Sequence, residues 1–211
     1  MNSTLSTHYI LRKLHSISGI LPVGVFLLEH LFTNSFAIQG AESYDGKIEF
    51  LQSFPYLVLF ELVFIIVPIL FHGIYGLVIT AGMGSNVHLY PRVRNWMYAF
   101  QRASGMVAFA YIFYHVYTLR VCNLLFGAEV SFQKMTTVLE NGWVFAFYVV
   151  GLFAAVFHLT NGIWNFCITW GITIGHSAQR AAAWTCTAFG AALFLAGLNS
   201  LLAFVGCAVV F

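Results

Sequence analysis

Residues 55–81 read PYLVLFELVFIIVPILFHGIYGLVITA, a run in which Glu61 is the single acidic side chain and no Lys or Arg occurs. A helix needs about 20 mainly apolar residues to cross a hydrocarbon layer roughly 30 Å thick. The run is continuous rather than alternating, which argues against a barrel strand. A helix also satisfies its own backbone in lipid. Pro68 lies one turn before His72 and predicts a kink there, because proline removes a backbone donor and crowds the preceding turn. Working outward, four more apolar runs occupy 14–36, 95–125, 143–172 and 181–211. The expected fold is an all-α integral membrane protein, one domain over 1–211 with five transmembrane helices. Run 14–36 follows Arg12-Lys13 as a signal peptide would. Its apolar stretch is too long for one and no small-residue cleavage site follows, so it reads as a mature span. Pro22 interrupts it as Pro68 interrupts the second run.

Composition points the same way. The 211 residues are 60% hydrophobic and 8% charged, against about 25% charged in an ordinary soluble domain. That balance excludes a soluble enzyme, leaves no hydrophilic catalytic domain, and excludes a disordered chain. The net charge of +2 carries no basic run longer than Arg12-Lys13, so nothing points to nucleic acid. The four cysteines (Cys122, Cys167, Cys186, Cys207) form no C-x-x-C pair and no C-x-x-C-H motif for covalent haem.

Orientation follows from positive charge. With the N-terminal side called inner, the inner flanks hold Arg12, Lys13, Arg92, Arg94, Arg102 and Arg180. The outer flanks hold Lys47, Arg120 and Lys134. Glu42, Asp45, Glu49, Glu129 and Glu140 all fall outside. The reading is a multi-pass membrane protein, N-terminus cytoplasmic and C-terminus outside. The longest loops, 37–54 and 126–142, lie outside.

Four histidines stand inside the first four runs, one each: His30, His72, His115 and His158. Helical rise sorts them by depth. His30 and His115 lie about 24 and 21 Å from the inner side, whereas His72 and His158 lie about 25 and 22 Å from the outer side. The first and third helices are parallel, as are the second and fourth, and parallel helices sit diagonally in an up-down square. Each couple, His30 with His115 and His72 with His158, therefore faces across the bundle at one level. Two facing imidazoles are what a six-coordinate haem iron requires. The expectation is two b-type haems inside the first four helices, the outer iron held by His30 and His115 and the inner by His72 and His158. Intramembrane ionisable residues are costly and mark function. The competing reading is a haem-free metal or proton transporter, which would add carboxylates to the histidine line; the spans offer only Glu29 and Glu61. The pattern F-H-x-x-x-G occurs twice, at Phe71-His72…Gly76 and Phe157-His158…Gly162, and puts a glycine on each histidine's face, where a porphyrin could lie close. Ordinary small-residue helix packing would explain one such glycine equally well.

Several stretches resemble the five-helix dihaem cytochrome b anchor of succinate dehydrogenases and fumarate reductases. They are R-K-L-H-S-I-S-G (12–19), P-V-G-V-F-L-L-E-H (22–30), F-H-G-I-Y-G (71–76), R-N-W-M-Y-A-F-Q-R-A-S-G (94–105), F-H-L-T-N-G-I-W-N-F (157–166) and W-G-I-T-I with a following Q-R (170–180). The resemblance covers about residues 10–205 and is nearest the single-chain type of menaquinone-using bacteria. It implies a subunit of succinate:quinone oxidoreductase, in the bacterial cytoplasmic (inner) membrane, that does not itself handle succinate. Two b haems would carry electrons between an iron-sulfur subunit on the cytoplasmic face, with a flavoprotein beyond it, and menaquinone near the outer haem. Cytochrome b anchors of other quinone-linked dehydrogenases or hydrogenases are the nearest alternative; their histidine spacing is not found.

Within that frame Glu61, near the level of the outer haem, is a candidate for the quinol's protons, or else a carboxyl bonded to a neighbouring helix. Glu29, beside His30, is a second candidate for the same pocket or a proton path. Some relatives carry a Glu two residues before the fourth histidine; Val156 stands there in this chain, so a proton route through that acid is not expected. On the inner side Arg12, His15, Ser16, Arg94, Gln101 and Arg102 are candidates for haem propionates, which favour charge-assisted donors. His15, Ser16 and Arg102 lead, and Arg94 reads better as a positive-inside residue. His8, His88 and His176 read as exposed histidines in flanks or loops. The fifth run carries no charge and no ligand, and is expected to pack against the four-helix core.

Overall fold

The computed structural model describes residues 3–82 and 84–209, and among these every regular element is helical. Five helices are long and apolar enough to cross a membrane: span I, Thr7–Gln39; span II, Leu57–Ala81; span III, Val93–Phe126; span IV, Gly142–Thr169; and span V, His176–Phe204.

Two of the spans are interrupted where proline dictates. Pro22 has no N–H to offer the Ser18 carbonyl, and span I breaks at Leu21, between Ser3–Ile20 and Pro22–Ser35. Span II widens into a π segment, Leu62–Ile66, directly before the turn that holds Pro68. Span III widens in the same way over Val116–Val121, immediately after His115. A π segment adds a residue to the turn and rotates the remainder of the helix about its axis, and such segments gather at functional sites.

Spans I to IV form a square in which neighbours I–II, II–III, III–IV and IV–I touch. Span V lies along span IV and the outer half of span I. The centre of packing is span IV, with Tyr148, Gly151, Leu152, Ala154, Val156, Leu159, Thr160 and Asn161 buried. Span II buries none of its residues fully, its apolar side chains facing outward as a lipid-contacting helix should.

The structure corrects the sequence reading at several boundaries. The two outer connections are not plain loops. They carry the helices Ala41–Gln52 and Phe132–Leu139, whose Tyr44, Met135 and Leu139 join Ala37, Tyr148, Ala203 and Phe204 in one apolar cluster. Asp45 ties the two helices by accepting from the Phe132 amide at 2.7 Å. Burial of the Tyr44 ring, with the Asp45 charge beside it, pushes its phenol up to about 12. Span V begins five residues earlier than expected, so His176 and Arg180 belong to its first turns rather than to a loop. It ends at Phe204 and not at Phe211, a position outside the described residues. Gly206, at φ +73°, turns the chain, and the Cys207 amide returns to the Leu202 carbonyl at 2.8 Å. Asn199 then clasps the Val209 backbone through both halves of its amide. Arg120, which charge counting puts in an outer flank, lies inside span III on its π segment.

Candidate functional site

The site is built from the four span histidines. Their rings meet in two couples across the diagonals of the square. His72 of span II and His158 of span IV have centroids 5.9 Å apart at 83°. His30 of span I and His115 of span III stand 5.6 Å apart at 79°.

The inner couple is fixed by a construction that occurs twice. The His72 ring nitrogen Nδ1 lies 2.9 Å from the His15 carbonyl, which can only accept, so the proton sits on Nδ1. Ser18 Oγ donates to that same carbonyl at 3.0 Å and lies 3.5 Å from Nδ1. On the other hairpin His158 Nδ1 donates to the Gln101 carbonyl at 2.9 Å, and Ser104 Oγ donates to it at 3.1 Å while standing 3.5 Å from Nδ1. Every member of the second set stands 86 positions after its counterpart: His15 and Gln101, Ser18 and Ser104, Gly19 and Gly105, Phe71 and Phe157, His72 and His158, Gly76 and Gly162. Spans I–II and III–IV are thus one hairpin motif used twice. With Nδ1 protonated, each inner ring keeps the Nε2 lone pair for a metal.

The outer couple lacks this construction. The Asn34 amide donates to the His30 carbonyl at 2.7 Å and lies 3.3 Å from His30 Nε2. His115 Nδ1 is buried without a hydrogen-bond partner, flanked by the Tyr111 ring at 5.5 Å and the edge of Tyr148 at 5.6 Å.

The remaining candidates divide. His15 stacks flat on His72, centroids 4.1 Å apart at 7°, and its Nε2 faces Gly76. Gln101 occupies the matching place against Gly162. Its side chain donates to the His158 carbonyl at 3.0 Å and accepts from Asn161 at 2.7 Å, which knits it into span IV. Ser16 accepts from the Trp170 indole at 3.4 Å. Arg102 donates to the Thr80 carbonyl at 2.7 Å and lies over the Tyr98 ring, joining spans II and III at the inner end. Arg94 bonds Gln179 of span V. Glu29 is on the exposed face of span I, beside His30, and its Oε1 accepts from Thr33 at 2.6 Å.

Glu61 is held by a partner that the sequence reading placed in a flank. Arg120 reaches across from span III and donates to Glu61 Oε2 twice, from Nε at 2.9 Å and Nη2 at 2.5 Å. Arg120 Nη1 donates to Asn123 Oδ1 at 2.9 Å. Beside this pair a shallow groove opens on the outer side, lined among others by Gln52, Tyr56, Arg120 and Asn123. Tyr56 holds a left-handed backbone, φ 59°. A non-glycine residue adopts that conformation at a cost that surrounding structure must offset. Glu61 directly precedes one π segment and Arg120 lies within the other.

Five membrane-length helices with histidines paired across the diagonals define the chain as an integral membrane helical bundle. The family model for the succinate dehydrogenase/fumarate reductase transmembrane subunit matches residues 82–197. The succinate dehydrogenase cytochrome b558 subunit of Bacillus subtilis (strain 168) is 36% identical over 197 residues, covering 93% of this chain and 97% of that one. The chain belongs to the succinate dehydrogenase/fumarate reductase transmembrane subunit family.

Proposed function

We propose that this chain anchors a succinate:quinone oxidoreductase in the bacterial cytoplasmic membrane and carries electrons through two b haems between an iron-sulfur subunit and menaquinone. The observation that carries the reading is the meeting of four histidines as two opposed imidazole couples. The rings of the two couples stand 5.6 and 5.9 Å apart, edge to face, close enough that the two imidazoles of each couple would hold one group between them. Among the described residues no three or more His, Cys, Asp or Glu side chains gather to hold a metal ion. A couple of imidazoles alone suits a metal that brings its own in-plane donors, and the residues present therefore fit haem. Bound haem supplies a one-electron couple.

The chain's own residues do the rest. His72 and His158 hold the inner group and His30 and His115 the outer. His15, Ser16 and Arg102 line the inner end, toward the cytoplasm, where the iron-sulfur subunit docks with the flavoprotein beyond it. On the outer side Arg120, Asn123 and Gln52 offer hydrogen bonds to the head of a quinone entering beside Tyr56. Glu61, held through one oxygen by Arg120, is the group nearest to hand for the proton that quinone chemistry moves.

The test is spectroscopic. Membranes containing the chain should show two low-spin b haems per polypeptide in a reduced-minus-oxidised spectrum, and co-purify a flavoprotein and an iron-sulfur protein. His72→Ala or His158→Ala should remove one of the two haems, and His30→Ala or His115→Ala the other. A chain that stays colourless with haem supplied ends the reading.

A further inference from the structure

Resting on the proposal of two haems, we infer that Gly19 and Gly105 are equivalent positioning residues for the inner ligands His72 and His158. Each bares a patch of helix so that the ligand ring of the neighbouring span lies against the backbone and gives its Nδ1 proton to a main-chain carbonyl one turn earlier.

The geometry at the two places is the same. A Cβ on Gly19 would press into the His72 imidazole, 2.8 Å from Nδ1. A Cβ on Gly105 would stand 2.8 Å from His158 Cε1 and 3.0 Å from its Nδ1. Non-bonded carbon atoms settle at roughly 3.5–4.0 Å, so neither position accepts even alanine without moving the ring. Four residues before each glycine, on the same helix face, is the carbonyl that takes the ligand's proton: His15 at 2.9 Å and Gln101 at 2.9 Å. One residue before each glycine is the serine that closes the triangle, at 3.5 Å from Nδ1 in both cases.

A carbonyl acceptor on Nδ1 settles the tautomer, orients the ring and strengthens Nε2 as a donor. The arrangement occurs at both inner histidines and at neither outer one, although all four sit on the same four helices. Glycine packing in general does not account for it. Gly197 of span V is also closely packed, a Cβ there lying 2.9 Å from Leu152 and 3.1 Å from Leu31, with no histidine ring against it.

The test uses the full chain, expressed in membranes with haem supplied, and the single variants Gly19→Ala, Gly105→Ala and Gly197→Ala. Haem per polypeptide, the ferric low-spin EPR signal of each haem and each midpoint potential are measured. Loss of an outer-shell ligand partner lowers metal-site affinity by about 10–100-fold. G19A and G105A should therefore lose the inner haem on purification, or keep it with a displaced EPR signal and a raised potential. The outer haem, unchanged, reports that each variant is folded. G197A, against the flexible ends of two leucines, should leave the inner haem as in the parent. Should either alanine disrupt both haems, Ser18→Ala and Ser104→Ala give the milder perturbation, moving the inner signal alone. The inference is overturned if G19A and G105A keep the parent's inner EPR signal and potential, if G197A displaces that signal equally, or if the serine variants leave it unmoved. A parent chain without haem would refute the haem proposal itself, a distinguishable result.

Discussion

Removing Arg120 while leaving Glu61 should cost more than removing both. Glu61 is four residues inside span II, so about 6 Å from its outer end. Arg120 and Glu61 side chains are 25% and 23% exposed, which places the pair between two measured regimes. Exposed pairs contribute about 0.2–1 kcal/mol, and breaking a buried pair by deleting one partner costs about 3–5 kcal/mol. Both guanidinium bonds fall on the same oxygen, Oε2, so the pair is not the stronger fork-to-fork kind. We expect Arg120→Leu to destabilise by about 2–3 kcal/mol, Glu61→Gln by about 1 kcal/mol, and the double variant by less than the sum. The coupling should be about 1–2 kcal/mol. The assay is chemical or thermal unfolding of the four proteins in lipid nanodiscs, monitored by intrinsic tryptophan fluorescence. Additive single effects, within about 0.5 kcal/mol, would refute the reasoning, since the two residues would then behave as strangers.

Particular contacts predict other outcomes. Gln101→Leu keeps the carbonyl but loses the amide bonds to His158 and Asn161, and should lower stability by about 1–3 kcal/mol in the same unfolding assay. Gly197→Leu would overfill the seam where span V meets Leu152 and Leu31, costing about 1–3 kcal/mol and raising protease sensitivity of span V. Tyr44 holds its proton to about 12 in the folded chain, whereas a free phenol loses it near 10. The folded state binds this proton more tightly, so its contribution to stability is complete below pH ~10 and fades as pH rises toward 12. Tyr44→Phe should flatten that part of a pH–stability profile.

The membrane fold is legible from hydropathy, because lipid leaves a continuous apolar run few alternatives to a helix. Ring proximity is legible too: a fixed rise per residue sorts four histidines into two levels, and those are the couples whose rings approach. Anything that depends on helix rotation or on main-chain acceptors stays hidden in the sequence. Arg120 reads as a flanking charge, yet from within span III it bonds Glu61 of span II, a pairing set by how the helices face each other. The carbonyls of His15 and Gln101 leave no trace in residue identity. The recurrence of S-G and of F-H-x-x-x-G at one offset of 86 residues is the sequence signal from which they could have been found. The outer helices escape because they are short and mixed in polarity, and gain their stability from the cluster around Tyr148 rather than from their own pattern.

The doubled hairpin has a further consequence for how the chain can be cut. The segment 84–92 is the covalent join between the two halves, yet the halves are already clasped by contacts of span I with span IV and span II with span III. A polypeptide severed in that segment, or two half-genes expressed side by side, should still assemble into one pigmented unit.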